Sequence, residues 1–437
     1  MRELRPVREF RATRRGIQEA RAEPGYVKRG QLETHLLALV TLALVAFGLV
    51  MVYSATSAPA AVGGGQPMRF LIRQAMYAAL GLAALLVLSR IDFRRLKSLA
   101  PSLVIVSLVL LAAVLVLGLR VNGARRWINV GPLAFQPSEL AKISLCIWAA
   151  VYFARRPPPR SLRELARPLG ILTGLTCLLV LAEPDLGTAI AIVLMLGGVL
   201  LVSGAPSGVL LRGGALIFAL SLAAIWLEPY RRARLFGFLH PWNDAQGSGF
   251  QSVQALIGLG SGGIFGVGLG QGVEKIFYLP EAHTDMIFAT VGEELGLVGT
   301  SALIGAYALF AYAGLRIALT CRDPFGKRLA AGLTVLVCGQ AALNVAAVVG
   351  IAPLTGITLP FVSYGGSSLV LALASVGILL NIGWSDAGAR SNALPDRGRG
   401  NRRPRTAGAR SRASARGSRR RRDVRRVAGS GRVAAGP

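Results

Sequence analysis

Long apolar runs separated by short basic clusters set the pattern of the chain. The runs fall at 36–53, 74–89, 101–119, 140–154, 168–182, 186–211, 209–227 and 295–315. Most approach the roughly 20 apolar residues that a helix needs to cross a bilayer. Residues 329–384 contain no Asp, Glu, Lys, Arg or His. That stretch is too long for one span, and Gly350-Ile-Ala-Pro353-Leu-Thr-Gly356 divides it into two helices joined by a polar re-entrant segment. The pattern predicts an all-α integral membrane protein of ten transmembrane helices, with a large extracytoplasmic loop between helices 7 and 8.

Composition agrees, since 53% of the 437 residues are hydrophobic and only 16% are charged, too few charges for a soluble chain of this length. The charge is concentrated at the two ends. Nine Lys and Arg precede residue 36, and sixteen Arg lie in 385–437. With both termini in the cytoplasm, about four-fifths of the basic residues lie inside, as the positive-inside rule requires. Three regions follow: a basic cytoplasmic tail at 1–35, a membrane domain at 36–384, and a disordered Arg-rich cytoplasmic tail at 385–437. The second tail is low-complexity and suits anionic membrane lipid; without interleaved aromatic residues it gives no sign of nucleic-acid binding. The 36–53 run is longer than a signal-peptide core, so it reads as a retained span. The four cysteines have no metal-ligand spacing.

The chemistry is expected on the extracytoplasmic face, where the Gly-, Pro- and polar-rich segments 120–138, 183–188, 228–285 and 350–368 fall. ATP is therefore excluded as an immediate substrate. The fourth span is only twelve uncharged residues long, Ile143–Ala154. To cross, it must extend back through Lys142 and Glu139, whose i,i+3 spacing lets them pair at membrane depth, and intramembrane charges usually mark function. Arg73, at the mouth of the second span, is a further cation. The eighth span is expected to begin at Leu279-Pro-Glu-Ala-His-Thr-Asp285, which brings Asp285, Glu293 and Glu294 to the interface, with Asp285 and Glu293 about 80° apart on a helical wheel. A carboxylate facing a polar cavity is a candidate general base. Gly258-Leu-Gly260-Ser-Gly-Gly263 fits a dinucleotide fingerprint, but no strand precedes it, and nucleotide binding is rejected.

The blocks Asn122-Gly-Ala-Arg-Arg-Trp-Ile128, Gln136-Pro-Ser-Glu139-Leu-Ala-Lys142, Glu183-Pro-Asp-Leu-Gly-Thr188, Tyr278-Leu-Pro-Glu-Ala-His-Thr-Asp285 and Leu359-Pro-Phe-Val-Ser-Tyr-Gly-Gly-Ser-Ser368 resemble the SEDS family. These are the membrane peptidoglycan polymerases of shape, elongation, division and sporulation, and the resemblance covers about 36–384. Gly48–Ala55 and Gly356-Ile-Thr-Leu-Pro are more similar to division and sporulation members than to elongation members. Met286 and Glu183 depart from the usual Phe and Gln.

The resemblance implies an inverting glycosyltransferase that polymerises lipid II into β-1,4 glycan strands, with Asp285 as base. It implies substrate contacts from Arg73, Lys142 and Glu139, with weaker candidates in Arg125, Arg126 and Lys275. His283 and Ser363 stand in the same blocks as substrate-binding positions. The resemblance fixes no cofactor; a divalent cation, Mg or Mn, if one is used, would sit on Glu139 or Asp285. The implied partners are a class B penicillin-binding protein, an FtsI-like transpeptidase, together with other divisome proteins. The alternatives are an elongation-type polymerase, a lipid II flippase and a divisome scaffold.

Overall fold

The computed structural model describes residues 24–61, 67–121, 124–131, 133–276 and 279–392. Its long helices are α1 Pro24–Ala61, α2 Pro67–Arg90 and α3 Leu96–Leu117. A three-stranded antiparallel sheet follows, β1 Leu119–Val121, β2 Ala124–Val130 and β3 Leu133–Phe135. Then come α4 Pro137–Arg155, the short α5 Leu162–Leu165, α6 Ile171–Ala182, α7 Leu186–Ser203 and α8 Ser207–Leu227. The 228–286 segment holds α9 Pro229–Leu239 and α10 Phe250–Ser261. The chain ends in α11 Ile287–Thr320, α12 Pro324–Val348 and α13 Gly366–Asn392.

Among the described residues, nine helices are long and apolar enough to cross a membrane. The tenth is α4, whose 19 residues span about 28 Å at 1.5 Å per residue, close to the hydrocarbon thickness. It starts at Pro137, so Glu139 and Lys142 both lie within the helix as its short apolar run requires. The small sheet was not legible as such. It forms where Val121, Trp127, Ile128 and Val130 supply strand-favouring side chains, and Leu119 pairs with Trp127 and Ile128 with Phe135.

Two boundaries differ from expectation. The eighth span begins at Ile287, because Pro280 and a left-handed Glu281 at φ 58° turn the chain, and Thr284 and Met286 donate back to the Glu281 carbonyl. Asp285 therefore precedes the helix, and the wheel angle to Glu293 does not apply. The tails expected at 1–35 and 385–437 lie outside the described residues, apart from 24–35 and 385–392, which are helical.

The core is built on α4, α12 and α13. Thirteen of the 19 residues of α4 are buried; α12 packs on α4, α7 and α11, while α13 lies along α2 and α1. By contrast α8 exposes Leu211, Phe218, Trp226 and Leu227, the apolar surface that hydrocarbon solvates. Helix contact without a solvent-driven hydrophobic term relies on close packing and polar links. Asn381 supplies one such link, accepting from Phe93 N at 3.0 Å and donating to Ser89 O at 2.7 Å. At Gly377 the approach of α13 to α2 is close, since a Cβ there would stand 2.5 Å from the Leu85 carbonyl oxygen. Gly377→Ala is expected to force α2 and α13 apart and lower stability by about 1–3 kcal/mol. Gly305→Ala, with nothing within 4 Å of the added carbon, is expected to be neutral or stabilising by about 0.5–1 kcal/mol. Thermal unfolding in detergent compares the two; equal effects would contradict this packing.

Candidate functional site

At one end of the bundle the irregular segments meet, and side chains from distant motifs satisfy their main chain. Asn344 of α12 donates to Asp285 O at 2.7 Å and to Ile357 O at 2.8 Å, so one amide ties the turn before α11 to the stretch between α12 and α13. The amide of Tyr364 donates to His283 O at 2.9 Å. Ser363 Oγ accepts from Leu359 N at 2.8 Å, and Ser363 O accepts from Gln74 Nε2 at 3.1 Å. Tyr307 donates a short hydrogen bond to Pro360 O. Buried Ser363 thus uses its hydroxyl oxygen as an acceptor and its carbonyl to hold its own turn.

Asp285 is half-buried. Its Oδ1 lies 3.3 Å from Thr284 Oγ1, which also lies 2.8 Å from Glu281 Oε2. Burial, reinforced by the Glu281 charge and opposed by Arg234, pushes the Asp285 carboxyl up to about 6. Across Gly356 stands Arg234: a Cβ at Gly356 would lie 3.9 Å from Arg234 Nη1 and 4.0 Å from Asp285 Oδ2. Arg234 Nη1 also donates to Leu354 O at 3.2 Å. Neither Arg234 nor Glu281 was singled out from sequence. The available signal was the cluster Arg231, Arg232 and Arg234 in a segment assigned to the face where basic residues are scarce.

Arg73 is exposed on α2, and its charge acts on the Tyr364 hydroxyl. The Tyr364 ring lies 5.3 Å from Phe70 and 5.6 Å from His283. Burial holds His283 below its usual range, so the imidazole is uncharged at neutral pH. Lys142 and Glu139 pair at 2.7 Å, both buried, which neutralises two charges that would otherwise be costly in the bundle. Near the start of α4, Gln136 donates to Asp185 Oδ2 at 3.4 Å, and Asp185 caps α7 through Thr188 N at 3.0 Å and Thr188 Oγ1 at 2.8 Å.

The remaining predicted cations bond main-chain carbonyls or a buried carboxylate. Arg125 donates to Leu115 O and Val116 O at the end of α3, at 3.3 and 2.8 Å. Arg126 donates to Glu183 O at 2.8 Å and Pro184 O at 2.5 Å, covering the end of α6. Lys275 is fully buried against Glu294 at 2.5 Å, so its ammonium does not reach a ligand.

The family whose sequence model matches residues 34–387 is described as cell cycle protein, FtsW/RodA/SpoVE. The chain belongs to this FtsW/RodA/SpoVE family. It is 41% identical over 366 residues to a probable peptidoglycan glycosyltransferase FtsW of Halomonas elongata, covering 82% of this chain and 92% of that one. It is 37% identical to the stage V sporulation protein E of Bacillus subtilis, covering 79% and 96%. Among solved structures it resembles a chain of a peptidoglycan synthase complex described as coordinating polymerization and crosslinking. That match has TM-score 0.68 and 36% identity and covers 80% of this chain and 97% of that one. Sequence and fold together thus show a helical FtsW/RodA/SpoVE chain with nine apolar candidate membrane spans among the described residues.

Glu183 stands between α6 and α7. It is fully buried, neither carboxylate oxygen has a hydrogen-bond partner, and burial, with the Asp185 charge beside it, pushes its pKa up to about 8. The folded chain therefore holds a proton that the unfolded chain releases, so this group's contribution to stability declines as pH rises from about 4.5 to about 8. Glu183→Gln is expected to match the parent in thermal unfolding near pH 4.5 and to exceed it by several degrees, on the order of 2–4 °C per kcal/mol, near pH 8. A difference that is constant with pH would contradict the buried, protonated carboxyl.

Proposed function

We propose that the chain is a peptidoglycan glycosyltransferase of the division type, polymerising lipid II into β-1,4 glycan strands for the septum. The observation that carries the reading is Asp285: a half-buried carboxylate titrating near 6, its main chain held by Asn344, with a guanidinium across Gly356. The FtsW name of its relatives supports the same activity.

In the proposed reaction the acceptor GlcNAc 4-hydroxyl loses its proton to Asp285 as its oxygen attacks the anomeric carbon of the donor MurNAc. The bond from that carbon to undecaprenyl pyrophosphate breaks, its electron pair leaves with the phosphate oxygen, and the configuration inverts. A carboxylate with a pKa near 6 is ionised at neutral pH yet more basic than a solvated one, which suits this transfer. Arg234 and Arg73 supply positive charge for the departing pyrophosphate. The neutral His283 beside Tyr364 suits a sugar hydroxyl. The Glu139–Lys142 pair contributes a fixed dipole rather than a free ammonium.

Among the described residues no group of three or more His, Cys, Asp or Glu could hold a metal. A Mg or Mn ion that keeps most of its waters needs only one or two carboxylates and a substrate phosphate, and Glu281 with Asp285 fits that donor set better than Glu139, whose neighbour is an ammonium. Such an ion would neutralise charge on the pyrophosphate.

The site end is proposed to face outward, with both termini in the cytoplasm at the septal membrane. The proposed partner is a class B penicillin-binding protein, as the coupling of polymerization with crosslinking in the similar complex suggests. A flippase or a scaffold leaves the raised carboxylate without a task. Purified protein, with its transpeptidase partner, is expected to convert fluorescent lipid II into glycan ladders. Asp285→Asn is expected to fold normally and lose activity about 100-fold or more. Ladders at the parent rate from that variant, or vesicle transport of lipid II without ladders from the parent, would overturn the reading.

A further inference from the structure

Lys275, a predicted ligand contact, has its side chain wholly buried. Its Nζ donates to Glu294 Oε1 at 2.5 Å and to Ser54 Oγ at 3.2 Å, and Ser54 Oγ lies 2.7 Å from both Glu294 oxygens. Both charged side chains have no exposed surface. The cluster joins three parts of the chain: the outer end of α1, the second turn of α11, and the segment after α10.

Around it the main chain is stitched in the same place. Glu293 Oε1 accepts from Val273 N at 2.5 Å and Glu274 N at 3.2 Å. The carbonyls of Glu293 and Glu294 accept from Val267 and Gly268 at 3.0 Å each. They are free to do so because Gly296, at φ 63°, breaks α11 between its second and third turns. Leu297 and Val298 then donate to Gly263 and Ile264. The result is a closed excursion from Lys275 to Glu294, pinned at its base by the ion pair, with Asp285 near its midpoint.

A buried ion pair rarely adds stability over apolar side chains of similar volume, because desolvation offsets the attraction. What it can impose is register, since both charges must meet. We propose that Lys275, with Glu294 and Ser54, is a positioning residue for Asp285: it fixes where the base stands relative to α1 and α11. Asn344 fixes the midpoint of the excursion; the ion pair fixes its ends. The inference rests on the polymerase reading above and adds that reach over the base extends to a cluster that touches no substrate. Catalysis is sensitive to placement, and about an ångström of displacement can cost on the order of 100-fold.

The test uses the full chain with its partner and fluorescent lipid II. Lys275→Met/Glu294→Leu removes both charges together, leaving neither buried alone. The expected result is unfolding within a few degrees of the parent, KM for lipid II within about threefold, and kcat lowered at least tenfold. Ser54→Ala leaves the ion pair but removes its bridge to α1; it is expected to lower kcat severalfold at unchanged KM. Parent kcat in both variants would overturn the proposal. So would a double variant whose loss appears only with a collapsed unfolding temperature while Ser54→Ala keeps parent kcat. A parent protein that makes no ladders would instead refute the polymerase reading itself.

Discussion

Main-chain polar groups cannot be left unpaired inside a membrane bundle, and the architecture of this protein follows from that constraint. Helices meet it internally; irregular segments need partners from elsewhere. Here the irregular stretches before α11 and between α12 and α13 are satisfied by a few side chains: Asn344, Ser363, Gln74, Tyr307 and Glu293. The same groups that make non-helical backbone tolerable at this depth also immobilise it. A rigid, polar, water-excluding end is what a glycosyl transfer to a lipid-linked sugar requires.

Charge is distributed with a matching economy. Glu139 and Lys142 neutralise one another, Glu294 and Lys275 do the same, and Asp185 caps α7. Glu183, buried without a hydrogen-bond partner for its carboxylate, is held neutral by its surroundings. Among these acidic groups Asp285 is the half-buried one whose titration falls near 6. The carboxylate beside it, Glu281, is linked to it through Thr284 Oγ1 and helps to raise its pKa.

Much of the fold was legible because membrane spans are written in long apolar runs, and α4 was legible through a shortfall: twelve apolar residues cannot cross alone. What remained hidden had non-local causes. The start of α11 depends on a left-handed Glu281, which hydropathy does not mark. The small sheet from Leu119 to Phe135 is shorter than any periodicity test resolves. Asp285, Glu139 and Lys142 stood out as charges among apolar residues. Arg234 did not, since it lies in a polar segment where one more arginine is unremarked, and its place opposite Asp285 comes from tertiary packing at Gly356. Lys275 and Ser363 had the right chemistry for ligand contact, but burial and pairing commit them to structure, and pairing across some 220 positions in sequence, as between Lys275 and Ser54, leaves no local trace.

The ionisation of Asp285 is the point on which the account turns, and the initial rate of lipid II polymerisation as a function of pH tests it directly. At substrate well below KM, where the rate reports ionisation of the free protein, it is predicted to hold level near pH 7–8 and to fall about tenfold per pH unit below about 6, as the base becomes protonated. A rate that stays level down to pH 5, with the protein still folded, would contradict a carboxylate base at this position.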